Sequence, residues 1–137
     1  MSYAGDVTPE QAWTALRAEP GAVLVDVRTR AEWAYVGLPD LGEIGKEVVL
    51  VEWQTFPEGS VNERFTADLE AAGVAKDAAV YFICRSGVRS ISAAEAATRE
   101  GWNRSYNVTE GFEGPHDVDR HRTLSGWKVA GLPWVQG

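Results

Sequence analysis

The chain has 137 residues, of which 45% are hydrophobic and 24% charged, a balance that fits a globular domain and excludes a disordered chain. Thirteen basic residues against twenty acidic ones leave a net charge of −7, which argues against nucleic acid or an anionic membrane as a partner. No run approaches the roughly 18 consecutive apolar residues of a membrane helix. The stretch from Met1 to Asp6 has neither a basic nor an apolar leader segment, so we expect a cytoplasmic protein forming one domain over 1–137.

Along the chain, helical and strand-like patterns alternate, which predicts an α/β fold with a mostly parallel sheet covered on both faces. Thr8-Pro9-Glu10-Gln11 opens the first helix: Thr8 can cap, Pro9 suits the first turn, and Gln11 completes a capping box. Ala12, Trp13 and Leu16 then share one face, and Pro20-Gly21 ends the segment. Ala22 to Val27 is apolar except for Asp26 and reads as a buried strand. Thr29 to Ala34 reads as a short helix that Gly37-Leu38-Pro39 breaks. The β-branched stretch from Glu47 to Trp53 predicts a second strand. Ser60-Val61-Asn62-Glu63 reads as a capping box leading into Phe65, Leu69 and Ala72 on one helical face, with Gly73 placed for a left-handed helix end. Ala79 to Ile83 is the clearest strand. A helix rich in small residues follows, from about Ser90 to Glu100, able to lie close to a sheet. Tyr106 to Val108 is a short strand. Beyond Thr109 the pattern is irregular, with the segment from Gly126 to Trp134 tucking aromatic rings onto the body.

The chain has a single cysteine, so an internal disulfide is impossible. Cys84 follows the clearest strand directly, and in open α/β sheets chemistry gathers beyond the carboxyl ends of strands. Arg85, Ser86, Gly87, Val88 and Arg89 come next, and Ser90 opens the helix. Gly87 permits backbone conformations closed to other residues. Successive amides can then turn inward, forming a concave anion site backed by the helix N-terminus. Such surroundings favour the thiolate, the nucleophilic form, and would equally stabilise a persulfide anion. Arg85 and Arg89 would draw in a doubly charged anion and hold it by forked hydrogen bonds. Arginine at a helix N-terminus opposes the macrodipole, so two of them around a glycine point to an anion nearby. If Cys84 were merely buried core and the arginines merely solvated, that placement would have no reason.

This arrangement resembles the rhodanese family. The matching residues are Asp26-Val27-Arg28, Glu32-Trp33, the run from Tyr81 to Ser90, Asn107-Val108 followed by Glu110-Gly111-Phe112, and the terminal Gly126-Trp127 with Gly131-Leu132-Pro133-Trp134. The resemblance implies a rhodanese-like three-layer α/β/α fold around a mostly parallel five-stranded sheet. It implies a sulfurtransferase in which the Cys84 thiolate attacks the outer sulfur of thiosulfate or a similar small anionic donor. The resulting persulfide would hand its sulfur to a thiol or to cyanide, with no metal or organic cofactor. The loop from Cys84 to Arg89 has the six residues of sulfurtransferase members, where related phosphatases and arsenate reductases use one more. Two departures stand out: Val36-Gly37-Leu38-Pro39-Asp40 lacks the family's histidine and is followed by a strand-bearing insert over 41–57, and a long segment runs from Pro115 to Leu124.

Asp26 and Arg28 read as supporting residues, most simply a structural ion pair, and Glu32 as a bracing or surface residue. His116 and His121 have no ligand-like company, so no zinc site is expected. Trp13, Trp33 and Trp102 read as packing residues. Trp53, Trp127 and Trp134 could rim the pocket, although core packing is the simpler reading. Two other functions compete with the enzyme: a persulfide carrier fed by a partner protein, and a non-catalytic module that binds an anion or a protein.

Overall fold

In the computed structural model, which describes residues 3–54, 61–84, 89–109, 111–112, 127 and 130–135, every residue of β5 (Val80–Ile83) is buried. This uninterrupted apolar run lies at the centre of a five-stranded parallel sheet. On one side stand β2 (Val23–Asp26) and then the edge strand β4 (Val49–Leu50); on the other stand β6 (Ser105–Val108) and then the edge strand β1 (Gly5–Val7). The register sets Asp26 beside Ile83, and the Val27 amide continues it by donating to the Ile83 carbonyl at 2.9 Å. The carboxyl ends of β2 and β5 therefore finish level, with Cys84 one residue beyond.

Side chains alternate between the faces of the sheet, and each face has its own core. Val25, Val80, Phe82 and Cys84 pack under Phe65 and Leu69 of α3 (Phe65–Ala71) and under Ala93, Ala94 and Ala97 of α4 (Arg89–Arg99). Leu24, Tyr81 and Ile83 face the other way, against Ala12 and Leu16 of α1 (Pro9–Ala18) together with Phe112 and Trp127. Burying a leucine such as Leu16 contributes roughly 2 kcal/mol relative to exposure. The alanines of α4 matter for a geometric reason: small side chains let that helix approach the sheet closely, just after Cys84.

Local sequence explains where the first helices start. Thr8 and Gln11 form the predicted capping box on α1. Thr29 and Glu32 form a second on α2 (Arg30–Val36), which runs two residues past the expected Ala34. Gly37 ends α2 at φ 104, a conformation that favours glycine. Beyond it, β3 (Leu38–Pro39) pairs antiparallel with β7 (Trp134–Val135) in a small second sheet.

Two expectations are corrected. The strand over 47–53 shortens to Val49–Leu50; beyond it the chain still follows β2, with the Val51 and Trp53 amides donating to the Asp26 and Val27 carbonyls at 3.2 and 3.1 Å. The short β4 is an edge strand of the sheet, and past it the Trp53 carbonyl accepts from the Asn62 amide at 2.7 Å. The helix expected to open directly behind a capping box at 60–63 starts later, after a turn. Asn62 Oδ1 accepts from the Arg64 amide, its Nδ2 donates to Glu52 O and Asp68 Oδ2, and α3 starts only at Phe65 with no side-chain cap. Asn62 thus satisfies the local backbone in a way that competes with a helix start. Ser60 lies outside the described residues. Finally, β1 and β7 had no signal in the reading of the sequence. Gly5-Asp6-Val7 has little strand propensity, and Trp134-Val135 finds its partner only through long-range pairing. The other endings hold: Gly73, at φ 82, follows α3, and Gly101, at φ 107, follows α4. Among the described residues no helix is long and apolar enough to cross a membrane.

Candidate active site around Cys84

Cys84 continues the alternation of β5 and is only 1% exposed. Its apolar neighbours belong to the α3/α4 face of the core, while its sulfur also meets a polar group, Ser90 Oγ, at 3.2 Å. Ser90 is fully buried in the first turn of α4, so strand and helix deliver the two atoms to each other from opposite ends of the cysteine loop. The Cys84 carbonyl accepts from the Phe112 amide at 2.8 Å, which docks the turn after β6 onto the same place.

Arg89 begins α4, and its guanidinium fork closes on Glu32, with Nη1 to Oε1 at 2.7 Å and Nη2 to Oε2 at 2.9 Å. Burial pushes the Glu32 carboxyl up. The Arg89 hydrogen bonds, the Thr29 amide and the charges of Arg89 and Arg28 outweigh that and bring it down to about 2. Arg89 is raised in turn, first by its hydrogen bonds to Glu32 against the opposing effect of burial, then by the charges of Glu32, Cys84 and Asp26. The expectation that Arg89 offers an open fork to a substrate therefore needs correction. The anion that a cation at a helix start requires comes from α2 of the same chain, and the fork is occupied.

Asp26 and Arg28 form the expected ion pair, and both are completely buried. Arg28 Nε and Nη2 reach the Asp26 carboxylate at 2.9 and 2.7 Å, and Nη2 also donates to the Gly37 carbonyl at 2.6 Å. The guanidinium lies 4.3 Å from the Phe112 ring centroid. Its remaining nitrogen, Nη1, is buried with no acceptor among the described residues. This cluster ties the end of β2 to the end of α2 and to the turn that docks on Cys84.

Of the residues picked from the sequence, Cys84, Arg89, Ser90, Asp26 and Arg28 gather at the carboxyl end of the sheet. Arg85, Ser86, Gly87 and Val88 lie outside the described residues, as do His116 and His121. Glu32, read as bracing, does brace: it carries the ion pair to Arg89. Trp127 is fully buried core and stacks edge-on against Trp13 at 5.9 Å, so it does not rim a pocket. Trp53 packs on Phe65 at 5.1 Å. Reading the sequence missed Asn107 as a neighbour of the site; it accepts from Ser90. The signal was its place in a strand two residues before the turn that docks on Cys84. Among the described residues no three His, Cys, Asp or Glu side chains gather as metal ligands.

Comparison with known proteins follows the same line. The family model described as the STR4 middle domain matches residues 4–137. The crystal structure of Rv0390 from M. tuberculosis is 53% identical, covers 98% of this chain and 99% of its own, and superposes with a TM-score of 0.92. An uncharacterized protein of Rickettsia conorii is 37% identical over 94% of this chain and 95% of its own length. The thiosulfate sulfurtransferase GlpE of Actinobacillus pleuropneumoniae is 27% identical over 93% and 90%. Rhodanese-like domain-containing protein 4 of Arabidopsis thaliana is 23% identical over 96% of this chain, which spans 26% of that protein.

Proposed function

The chain belongs to the rhodanese-like domain family, and from that premise we propose that it moves a sulfane sulfur from thiosulfate or a similar small anion to a thiophilic acceptor through a persulfide on Cys84. One observation carries this reading. The only sulfur nucleophile of the chain stands at the carboxyl end of the central strand, against a serine hydroxyl and within the field of an arginine whose own charge is held by Glu32.

The first step joins Cys84 Sγ to the outer sulfur of thiosulfate. The sulfur–sulfur bond of the donor breaks, and its electron pair leaves with sulfite. An acceptor such as cyanide then attacks that outer sulfur, the Cys84 disulfur bond breaks, and the thiolate returns. Positive charge from Arg89 favours the anionic sulfur at both stages, while Arg85 and the amides of 85–88 are the groups proposed to bind the donor.

The test is turnover. The protein incubated with thiosulfate and cyanide should form thiocyanate, and Cys84→Ser should form none above the uncatalysed rate. Equal rates in both would remove Cys84 from the reaction.

A further inference from the structure

An unbroken line of hydrogen bonds runs from the Cys84 sulfur to the edge of the sheet. Cys84 Sγ lies 3.2 Å from Ser90 Oγ, and Ser90 Oγ lies 2.5 Å from Asn107 Oδ1. Asn107 Nδ2 lies 3.1 Å from Asp6 Oδ1, which also accepts from the Tyr3 hydroxyl at 2.8 Å. The fold makes this possible: Asp6 of β1 pairs with Asn107 of β6, Asn107 pairs with Phe82 of β5, and Cys84 shares the face of Phe82. Ser90 is fully buried and Asn107 is 2% exposed, so water does not compete along the inner part of the line.

The outer groups fix the direction of the inner ones. A carboxylate only accepts, so the Asn107 amide turns its NH2 to Asp6 and its carbonyl oxygen to Ser90. That oxygen also only accepts, so the single hydroxyl hydrogen of Ser90 is committed to Asn107. Ser90 therefore shows Cys84 a lone pair. A thiol can donate to a lone pair, whereas a thiolate is repelled by it.

We propose that Asp6 and Asn107 are positioning residues that hold the Ser90 hydroxyl in its accepting direction, making Ser90 a gate on the ionisation of Cys84. The proposal rests on the reading of Cys84 as the nucleophile. When the gate turns, the S–H bond breaks and its proton passes to solvent. Ser90 keeps its own hydrogen and exchanges one acceptor for another, Asn107 Oδ1 for the charged sulfur. Among the described residues, the other charged groups around this end of the sheet are Arg89 of α4 with Glu32 of α2, and Asp26 with Arg28 at the end of β2. None of them is part of the line, so they act alike on every variant of it.

The thiolate fraction of Cys84 can be read from its ultraviolet absorbance across pH, with the Cys84→Ser profile subtracted. Asp6 is exposed, so its variants keep the fold. Asp6→Ala removes the acceptor that pins the amide; Asn107 can then present NH2 to Ser90, and Ser90 can donate to the sulfur. The thiolate fraction below the midpoint should rise roughly tenfold, the size of one hydrogen bond to a charged group. Asp6→Asn loses the charge but keeps an oxygen for Asn107 Nδ2, and should stay within about twofold of wild type in physiological salt. In a Ser90→Ala background, Asp6→Ala should change nothing. No shift in Asp6→Ala, equal shifts in Asp6→Ala and Asp6→Asn, or a shift that persists without the Ser90 hydroxyl would each overturn the gate. Thiosulfate turnover is a separate readout. The tenfold shift without turnover would strike the proposed function and leave the gate, and turnover without the shift would do the reverse.

Discussion

Glu32 and Arg89, 57 residues apart in the chain, meet through two hydrogen bonds of 2.7 and 2.9 Å that lock the helix after Cys84 to the helix after β2. Their side chains are 18% and 23% exposed, so the pair is shielded but not sealed. Arg89, at the start of the helix that follows the cysteine loop, is thus held in place from α2.

Glu32→Gln should lower stability at neutral pH, and the deficit should shrink on acidification. The folded carboxyl titrates at about 2 against an ordinary value of 4.5. A group depressed in this way stabilises fully above its unfolded value and loses that contribution as pH falls through the folded one. The gap between wild type and variant should therefore be complete above pH 4.5 and close toward pH 2, with a full size on the order of 3 kcal/mol before screening by solvent. Urea denaturation at a series of pH values measures it. A gap that is constant with pH would show that the variant acts through packing alone.

Asp26→Ala should be among the most damaging single changes. It leaves the Arg28 guanidinium fully buried without its carboxylate, which costs on the order of 3–5 kcal/mol. Replacing both partners with apolar residues, as Asp26→Leu with Arg28→Met, should cost clearly less than the single change, because no uncompensated charge remains. Chemical denaturation of the two variants side by side gives the comparison. A double variant no more stable than Asp26→Ala would mean that shape and the Gly37 contact, rather than charge, hold this corner.

Gly37→Ala should open the small sheet. A Cβ at this position would stand 2.6 Å from the Val135 carbonyl oxygen and 2.9 Å from Trp134 Cε3, on a backbone at φ 104. The conformational strain alone is about 1–3 kcal/mol, and the clash with backbone adds to it. The fall in melting temperature should come with faster exchange of the Asp40 amide, which donates to the Pro133 carbonyl alongside β3 and β7. Unchanged exchange there would show that the strain is absorbed in α2.

Much of this architecture is legible in the residues. The run from Val80 to Ile83 marks the central strand because burial on both faces leaves no polar alternation. Thr8 with Gln11 writes a helix start in four letters, and Cys84 stands out because a strand, a glycine loop and a helix surround it. The strands at Gly5–Val7 and Trp134–Val135 were not legible, since each owes its form to a partner about 100 residues away. The role of Arg89 was half legible. The unfavourable placement of a cation at a helix start pointed to an anionic substrate, whereas in the fold the Arg89 fork meets Glu32 of the same chain. Asn107 was hidden for a similar reason: its amide matters through its alignment between Ser90 and Asp6, and that alignment exists only once β1, β6 and α4 are assembled.

The most direct measurement weighs the intact protein after exposure to thiosulfate. The wild-type chain should gain the mass of one sulfur atom and lose it again on adding cyanide, and Cys84→Ser should gain nothing. A wild-type chain whose mass does not change, or a Cys84→Ser chain that gains as much, would contradict the account.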